Sequence, residues 1–174
     1  MLAVLLIAAA QSAQPAPPAT PPPRPPACAT PEHRQFDFWV GTWNVYRTGT
    51  EVLAGRNVIE SLYGGCVIRE SWSSQGGSDG SSFNSWLPNE RIWRQTWVDG
   101  SNSYAVFEGR YENDRMVLTG HWPGAAGPGT NPLVRMTYSR VEGGAVRQLG
   151  EQSLDGGQTW APNFDFTYRP AAAP

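Results

Sequence analysis

Between residues 32 and 169 the apolar side chains recur at every second position, and nowhere do they keep a helical spacing over several turns. Short runs rich in Val, Ile, Thr, Tyr, Phe and Trp alternate with polar residues, a pattern that predicts strands over 42–47, 52–63, 66–73, 81–87, 91–98, 104–111, 116–122, 133–141, 145–153 and 163–168. The runs are separated by "GG" at 64–65, "GGSDG" at 76–80, "PNE" at 88–90, "DGSN" at 99–102, "END" at 112–114, "EGG" at 142–144 and "DGG" at 155–157. Gly supplies the positive φ of tight reversals, Asn and Asp tolerate it, and connectors this short force neighbouring strands to run antiparallel. The longer "PGAAGPGTNP" at 123–132 is expected to form a rim or lid, and "PEHRQFDFW" at 31–39 to make a turn or two of helix, with Pro31 or Glu32 near its start. Ten up-and-down strands left open would expose two long edges, and closure removes both. The expected fold is therefore an all-β, antiparallel up-and-down β-barrel of about ten strands; a β-sandwich is the competing arrangement.

The stretch "FDFWVGTWNVY" at 36–46 carries five aromatic rings. It reads as a plug followed by the first strand, with Phe36, Phe38 and Trp39 covering one end and Trp43 facing inward. Its Gly-x-Trp resembles the corresponding element of lipocalins and their calycin relatives. "FDFWVGTWNV", "GGCVIRESW", "WRQTWVDG", "VRQLGEQSLDGGQTW" and a closing "FDFTY" follow one another in that order. Together they resemble the DUF1579-like family of uncharacterised bacterial exported proteins. The resemblance spans 32–169 and implies a lipocalin-like or fatty-acid-binding-protein-like barrel, and it brings no activity with it.

The start, "MLAVLLIAAAQSAQ", reads as an export signal over 1–13, with Ala8-Ala9-Ala10 or Ala10-Gln11-Ser12 as cleavage site. Its apolar core of about nine residues is far below the ~20 needed to span a bilayer. The protein is thus expected to be periplasmic or secreted, with no transmembrane span after cleavage. Residues 14–31 form a Pro/Ala-rich disordered linker, and 170–174 a disordered tail. In an oxidising compartment Cys28 and Cys66 would pair, pinning the incoming segment to a strand; two free thiols are the other reading. All 13 basic residues besides histidine are Arg, against 15 acidic ones. No basic stripe suits nucleic acid, and the absence of Lys removes Schiff-base and P-loop chemistry. With so few Cys and His, no metal or cofactor site is expected.

Alternation also sorts faces. Cys66, Ile68, Glu70 and Trp72 share one side of their strand, and Trp93, Gln95 and Trp97 share one side of theirs. Arg135 lines up with Thr137 and Ser139, and Arg147 with Leu149, Glu151 and Ser153. Placed inward, these faces make a candidate ligand site of Trp43, Glu70, Trp72, Gln95, Trp97, Arg135, Arg147 and Glu151. Such a polar interior is either a satisfied Arg–Glu network holding the barrel shut, or an open lumen that seats an amphipathic ligand's acidic head on Arg135 or Arg147. Catalysis would rest on Glu70 or Glu151 as an acid or base, and no catalytic residue is assigned. His121 sits where a haem ligand would interest a reader of the distantly similar nitrobindins, but the rest of that pattern is missing. His121 is read as a rim residue and His33 as a surface or cap residue. Asp99-Gly100 and Asp155-Gly156-Gly157 are hairpin turns rather than calcium loops. The sequence thus favours a binder of a small hydrophobic or amphipathic molecule. An envelope-associated interaction module with a filled barrel, and a lumen-based enzyme, are the alternatives, and the oligomeric state is open.

Overall fold

Alternation gives every strand one face for water and one for an interior, and ten such strands here close into a cylinder. The structure, a computed structural model, describes residues 28–171; the proposed signal, most of the linker and the last three residues lie outside the described residues. The strands are β1 (Gly41–Arg47), β2 (Leu53–Leu62), β3 (Val67–Ser74), β4 (Gly80–Leu87), β5 (Ile92–Asp99), β6 (Tyr104–Glu112), β7 (Arg115–His121), β8 (Leu133–Arg140), β9 (Val146–Ser153) and β10 (Ala161–Pro170). Each pairs antiparallel with the next, and β10 returns to pair with β1, Val45 opposite Tyr168. The result is the closed ten-stranded barrel that the spacing predicts, of the lipocalin or calycin type that the resemblance implies, not a sandwich.

Turn chemistry explains the connections. Between β6 and β7, Asn113 and Asp114 both take positive φ, 49° and 59°, while Glu112 pairs with Arg115. That two-residue geometry matches the twist of a hairpin, and Asn and Asp are the side chains that tolerate it best after Gly. At the start of β10 the register slips between Pro162 and Phe164, a bulge that frees Asn163 from the ladder. Its amide donates instead to the carbonyl of Ala125 (3.1 Å) and to Gln152 Oε1 (2.6 Å), so the bulge pins the β7–β8 loop to the barrel wall. At its other end β10 runs to Pro170, and the Ala171 N–H bonds to the Thr42 carbonyl (2.9 Å), past the domain end expected at 169.

The two ends of the barrel differ. One holds the β2–β3, β4–β5, β6–β7 and β8–β9 connectors together with the N-terminal segment, which forms two 3-10 turns, Pro31–Arg34 and Asp37–Trp39. Phe36 and Trp39 are wholly buried and stack at 4.9 Å, and Phe36 meets Tyr138 and Trp93 edge-on at 5.0 and 5.7 Å. The Trp43 indole N–H donates to the Trp39 carbonyl (2.9 Å), tying plug to first strand. Phe38 is only partly buried, and the guanidinium of Arg140 lies 4.3 Å over its ring.

Two further ties hold the plug. Cys28 and Cys66 are joined by a disulfide across 38 positions. Beside it Arg34 donates to the carbonyls of Gly65 (2.5 Å) and Cys28 (3.2 Å) and pairs with Asp37 (3.4 Å). Closing a loop of that length removes roughly 3–4 kcal/mol of chain entropy from the unfolded state. Replacing both cysteines by Ser is accordingly expected to lower unfolding stability by about that amount in a urea titration, with the far-UV spectrum of the barrel retained. Two reactive thiols in the native wild-type protein would remove the basis for this expectation.

Candidate functional site

Immediately above the plug the inward positions turn polar. Asn57 on β2, Glu70 on β3, Ser82 and Asn84 on β4, Gln95 on β5 and Gln148 on β9 are all buried. They bond to one another in one layer, in which Asn57 Oδ1 is left without a partner. Asn57 Nδ2 donates to Glu70 Oε1 and Ser82 Oγ to Glu70 Oε2, both at 2.7 Å. Asn84 donates to the Ile68 carbonyl (3.1 Å) and Ser82 Oγ (3.0 Å), and Gln95 Nε2 donates to Asn84 Oδ1 (2.8 Å). Across the bore the Tyr168 hydroxyl donates to Gln148 Oε1 (2.6 Å), whose amide donates to the Tyr138 hydroxyl (2.8 Å). Side chains of seven strands thus form one floor.

No basic group belongs to this floor. Burial pushes the Glu70 carboxyl above its ordinary range, and the donors Asn57 and Ser82 offset only part of that rise. Burial, reinforced by the nearby Glu70, also holds the Tyr138 and Tyr168 hydroxyls well above their ordinary value, so both are neutral.

Above the floor the barrel is open. A cavity of about 240 Å³ rises from Glu70, Gln95 and Tyr138 through a wall of rings to Ser78, which is exposed in the β3–β4 turn. Eight of the fourteen lining residues are aromatic, so the wall is predominantly π-surface. The rings brace one another: Trp72 lies 6.1 Å from Phe166, Phe166 stacks at 5.2 Å on Phe164, and Trp122 meets Trp97, Phe107 and Phe164 at 6.1, 5.8 and 6.5 Å. Trp122 opens the β7–β8 loop, and its indole N–H donates to Ser103 Oγ (2.7 Å), so residues 122–132 do form part of the rim.

Each of three rings owes its place to a glycine on the neighbouring strand. A Cβ at Gly55 would stand 2.6 Å from the Trp72 ring, one at Gly80 2.4 Å from that of Trp97, and one at Gly150 2.4 Å from that of Phe164. Rings laid flat across inward glycines are a device of curved sheets.

Of the eight side chains expected to line a lumen, Glu70, Trp72, Gln95 and Trp97 line the cavity. Trp43 faces inward but lies below the floor, against Tyr168 at 6.2 Å and bonded to the plug. Arg135, Arg147 and Glu151 are outside the barrel, which corrects the expectation for all three. On β8 and β9 the interior is filled by Val134, Met136, Tyr138, Val146 and Gln148. Alternation then sends the arginines to the solvent face, where a guanidinium keeps its hydration. Arg135 forks onto Glu151 (Nε 3.0 Å, Nη2 2.8 Å) and covers the Trp160 ring at 4.2 Å, and Arg147 forks onto Asp165 (2.9 and 2.5 Å). These are surface pairs, and the acidic-head anchor they suggested does not exist in the lumen.

Sequence reasoning missed Gln148, Tyr138, Tyr168, Phe107, Trp122, Phe164 and Phe166 as site residues. The glycines opposite the rings were the available signal. "GGSDG" at 76–80 also reads Gly-x-Ser-x-Gly, a spacing found around nucleophilic serines. Here it is the connector of a hairpin, with no helix after it and Ser78 in the cavity mouth. Neither histidine serves it. His33 is buried in the plug against Thr30 (2.9 Å), not a surface group, and His121 is exposed on β7 beside the Asn131 carbonyl (3.2 Å). Asp155 caps its own turn through Ser153 and Thr159, hydrogen bonds that hold its carboxyl well below the usual range. The chain matches no protein-family model and no curated protein.

The floor makes stability depend on pH. Because the folded Glu70 carboxyl titrates above its unfolded value near 4.5, the folded chain holds the extra proton between the two values. Stability therefore declines as pH rises through that window, and the penalty persists above it. Glu70→Gln removes the ionisable group and keeps a bond to each neighbour, since a turned Asn57 amide would accept from the new Nε2 while the new Oε1 accepts from Ser82. The variant is expected to gain on wild type in Tm from about pH 4.5 to pH 8; a difference that stays constant over the series contradicts the buried carboxyl.

Proposed function

We propose that this chain is an exported binding protein that holds one small hydrophobic or amphipathic molecule in the aromatic half of its barrel. The observation that carries the reading is the open cavity itself. Protein interiors pack to the density of organic crystals, and a void lined by rings gives up dispersion contacts on every wall. About 240 Å³ of such space, open at Ser78, makes sense as room for an occupant. The volume lies below the ~300–1,000 Å³ of pockets for drug-sized ligands, so the occupant is small. An interaction module with a filled barrel has no use for this space.

Export is part of the proposal. The apolar start and the Pro/Ala run support a cleaved signal over 1–13 and a spacer over 14–31, and a Cys28–Cys66 bridge suits an oxidising compartment. The ordered motifs support kinship with the DUF1579-like exported proteins. N-terminal sequencing of the exported protein is expected to find a first residue between Gln11 and Gln14; a chain that retains Met1 in the cytosol would oppose export.

Indole, small, flat and neutral, tests the lumen. Calorimetric titration is expected to give saturable one-to-one binding. Trp97→Ala should weaken it about tenfold, ~1.4 kcal/mol, through the loss of one wall. Arg135→Ala and Arg147→Ala should leave it unchanged, since both side chains face solvent. Binding that ignores Trp97 and follows the arginines would place the site elsewhere.

A further inference from the structure

The geometry points to a ligand with a protonated amine at its head: we propose that the cavity selects a small organic ammonium, such as an arylalkylamine, with its nitrogen on Glu70 and its apolar body among the rings. This rests on the lumen-binding reading above and narrows it to one class of head group.

The argument starts from what faces Glu70. Asn57 comes from β2, Ser82 from β4, Gln95 from β5, Tyr138 from β8, Gln148 from β9 and Tyr168 from β10. Amides and hydroxyls make up the polar members of this set, beside the apolar Ile59 opposite Glu70 on β2; the two tyrosines are its titratable members, and burial keeps both neutral. Among the lining residues there is no arginine or histidine. Among the described residues Glu70 is therefore a buried acid without a counter-cation, the arrangement folding tolerates least and structures most often supply with a partner.

The site is chemically ready for that partner. Asn57 and Ser82 each occupy one lone-pair position, one on each carboxylate oxygen, and each oxygen has a second to offer. An ammonium group carries three donors, and Gln95 and Gln148 bring further amide oxygens to the same floor. Just above, Trp72 and Trp97 present faces whose quadrupoles attract a cation, and a desolvated ammonium gains most from them. An anionic head would meet the opposite conditions, with like charge at the floor and negative ring faces around it. The cavity's size fits a ring with a short arm and leaves no room for a long acyl chain.

The test uses three probes with one body and three heads: tryptamine (ammonium), tryptophol (hydroxyl) and indole-3-acetate (carboxylate). Calorimetry at pH 8 is expected to rank them in that order, with tryptamine about tenfold or more ahead of tryptophol. Glu70→Gln should abolish the gap between those two by weakening tryptamine alone. Should the variant fail to fold, wild-type protein decides the matter. Tryptamine affinity should fall as pH drops and a proton displaces the ligand from Glu70, while tryptophol affinity stays flat. Equal binding of tryptamine and tryptophol, or preference for indole-3-acetate, overturns the amine assignment and leaves lumen binding standing. Saturable binding by none of the three, nor by indole, overturns both.

Discussion

Pairing between β1 and β10 is the contact on which everything else depends, because it turns a ribbon of strands into a wall with an inside. Eight strands make a bore that inward side chains can just fill; ten make a wider one. This chain meets the surplus differently at its two ends. Near the start of β1 it folds Phe36 and Trp39 in as a plug, fastened by the Trp43 indole and the Cys28–Cys66 link. At the other end the β7–β8 loop brings in Trp122 alone among the rings of the described connectors, and the rings of Trp72, Trp97 and Phe166 are left facing a cavity. The site is a direct consequence of strand number.

Between plug and cavity lies a layer that hydrophobic packing alone would not choose. A carboxyl, two glutamines, two asparagines and a serine could have been aliphatic at less cost in desolvation. Their mutual hydrogen bonds recover most of that cost and fix the orientation of each group. Two groups are left chemically unfinished: Asn57 Oδ1, which has no donor, and Glu70, which has no opposite charge among its hydrogen-bond partners. Polar groups arranged to this standard beneath an aromatic chamber give it an orientation, with a polar, buried end and apolar walls.

Much of this was legible in advance, for reasons that can be named. All ten strands lie within two residues of the positions that alternation and turn residues indicate, because each hairpin carries its own Gly, Asn or Asp signal. The faces of β3 and β5 were readable because Ile68 and Trp72, or Trp93 and Trp97, pull Glu70 and Gln95 in with them. On β9 the two faces are nearly balanced, Leu149 beside Arg147 and Glu151 on one, Val146 beside Gln148 and Gly150 on the other, so hydropathy does not choose. On β8 it does choose: Val134, Met136 and Tyr138 form the apolar face, and reading the arginine face as interior ignored it. The aromatic wall was hidden because its members come from five strands and one loop, and only closure brings them together.

The glycines beneath Trp72, Trp97 and Phe164 carry one more implication. The chamber's outline is drawn by hydrogens where other residues would carry a methyl, so its shape can change without the exchange of a single ring. An alanine at position 150, where a Cβ would meet nothing nearer than the Phe164 ring, would tip that panel toward the axis, whereas at 55 and 80 it would also press on the Ser73 and Val98 carbonyls. Calibre, in such a vessel, is inherited through the smallest residues it has.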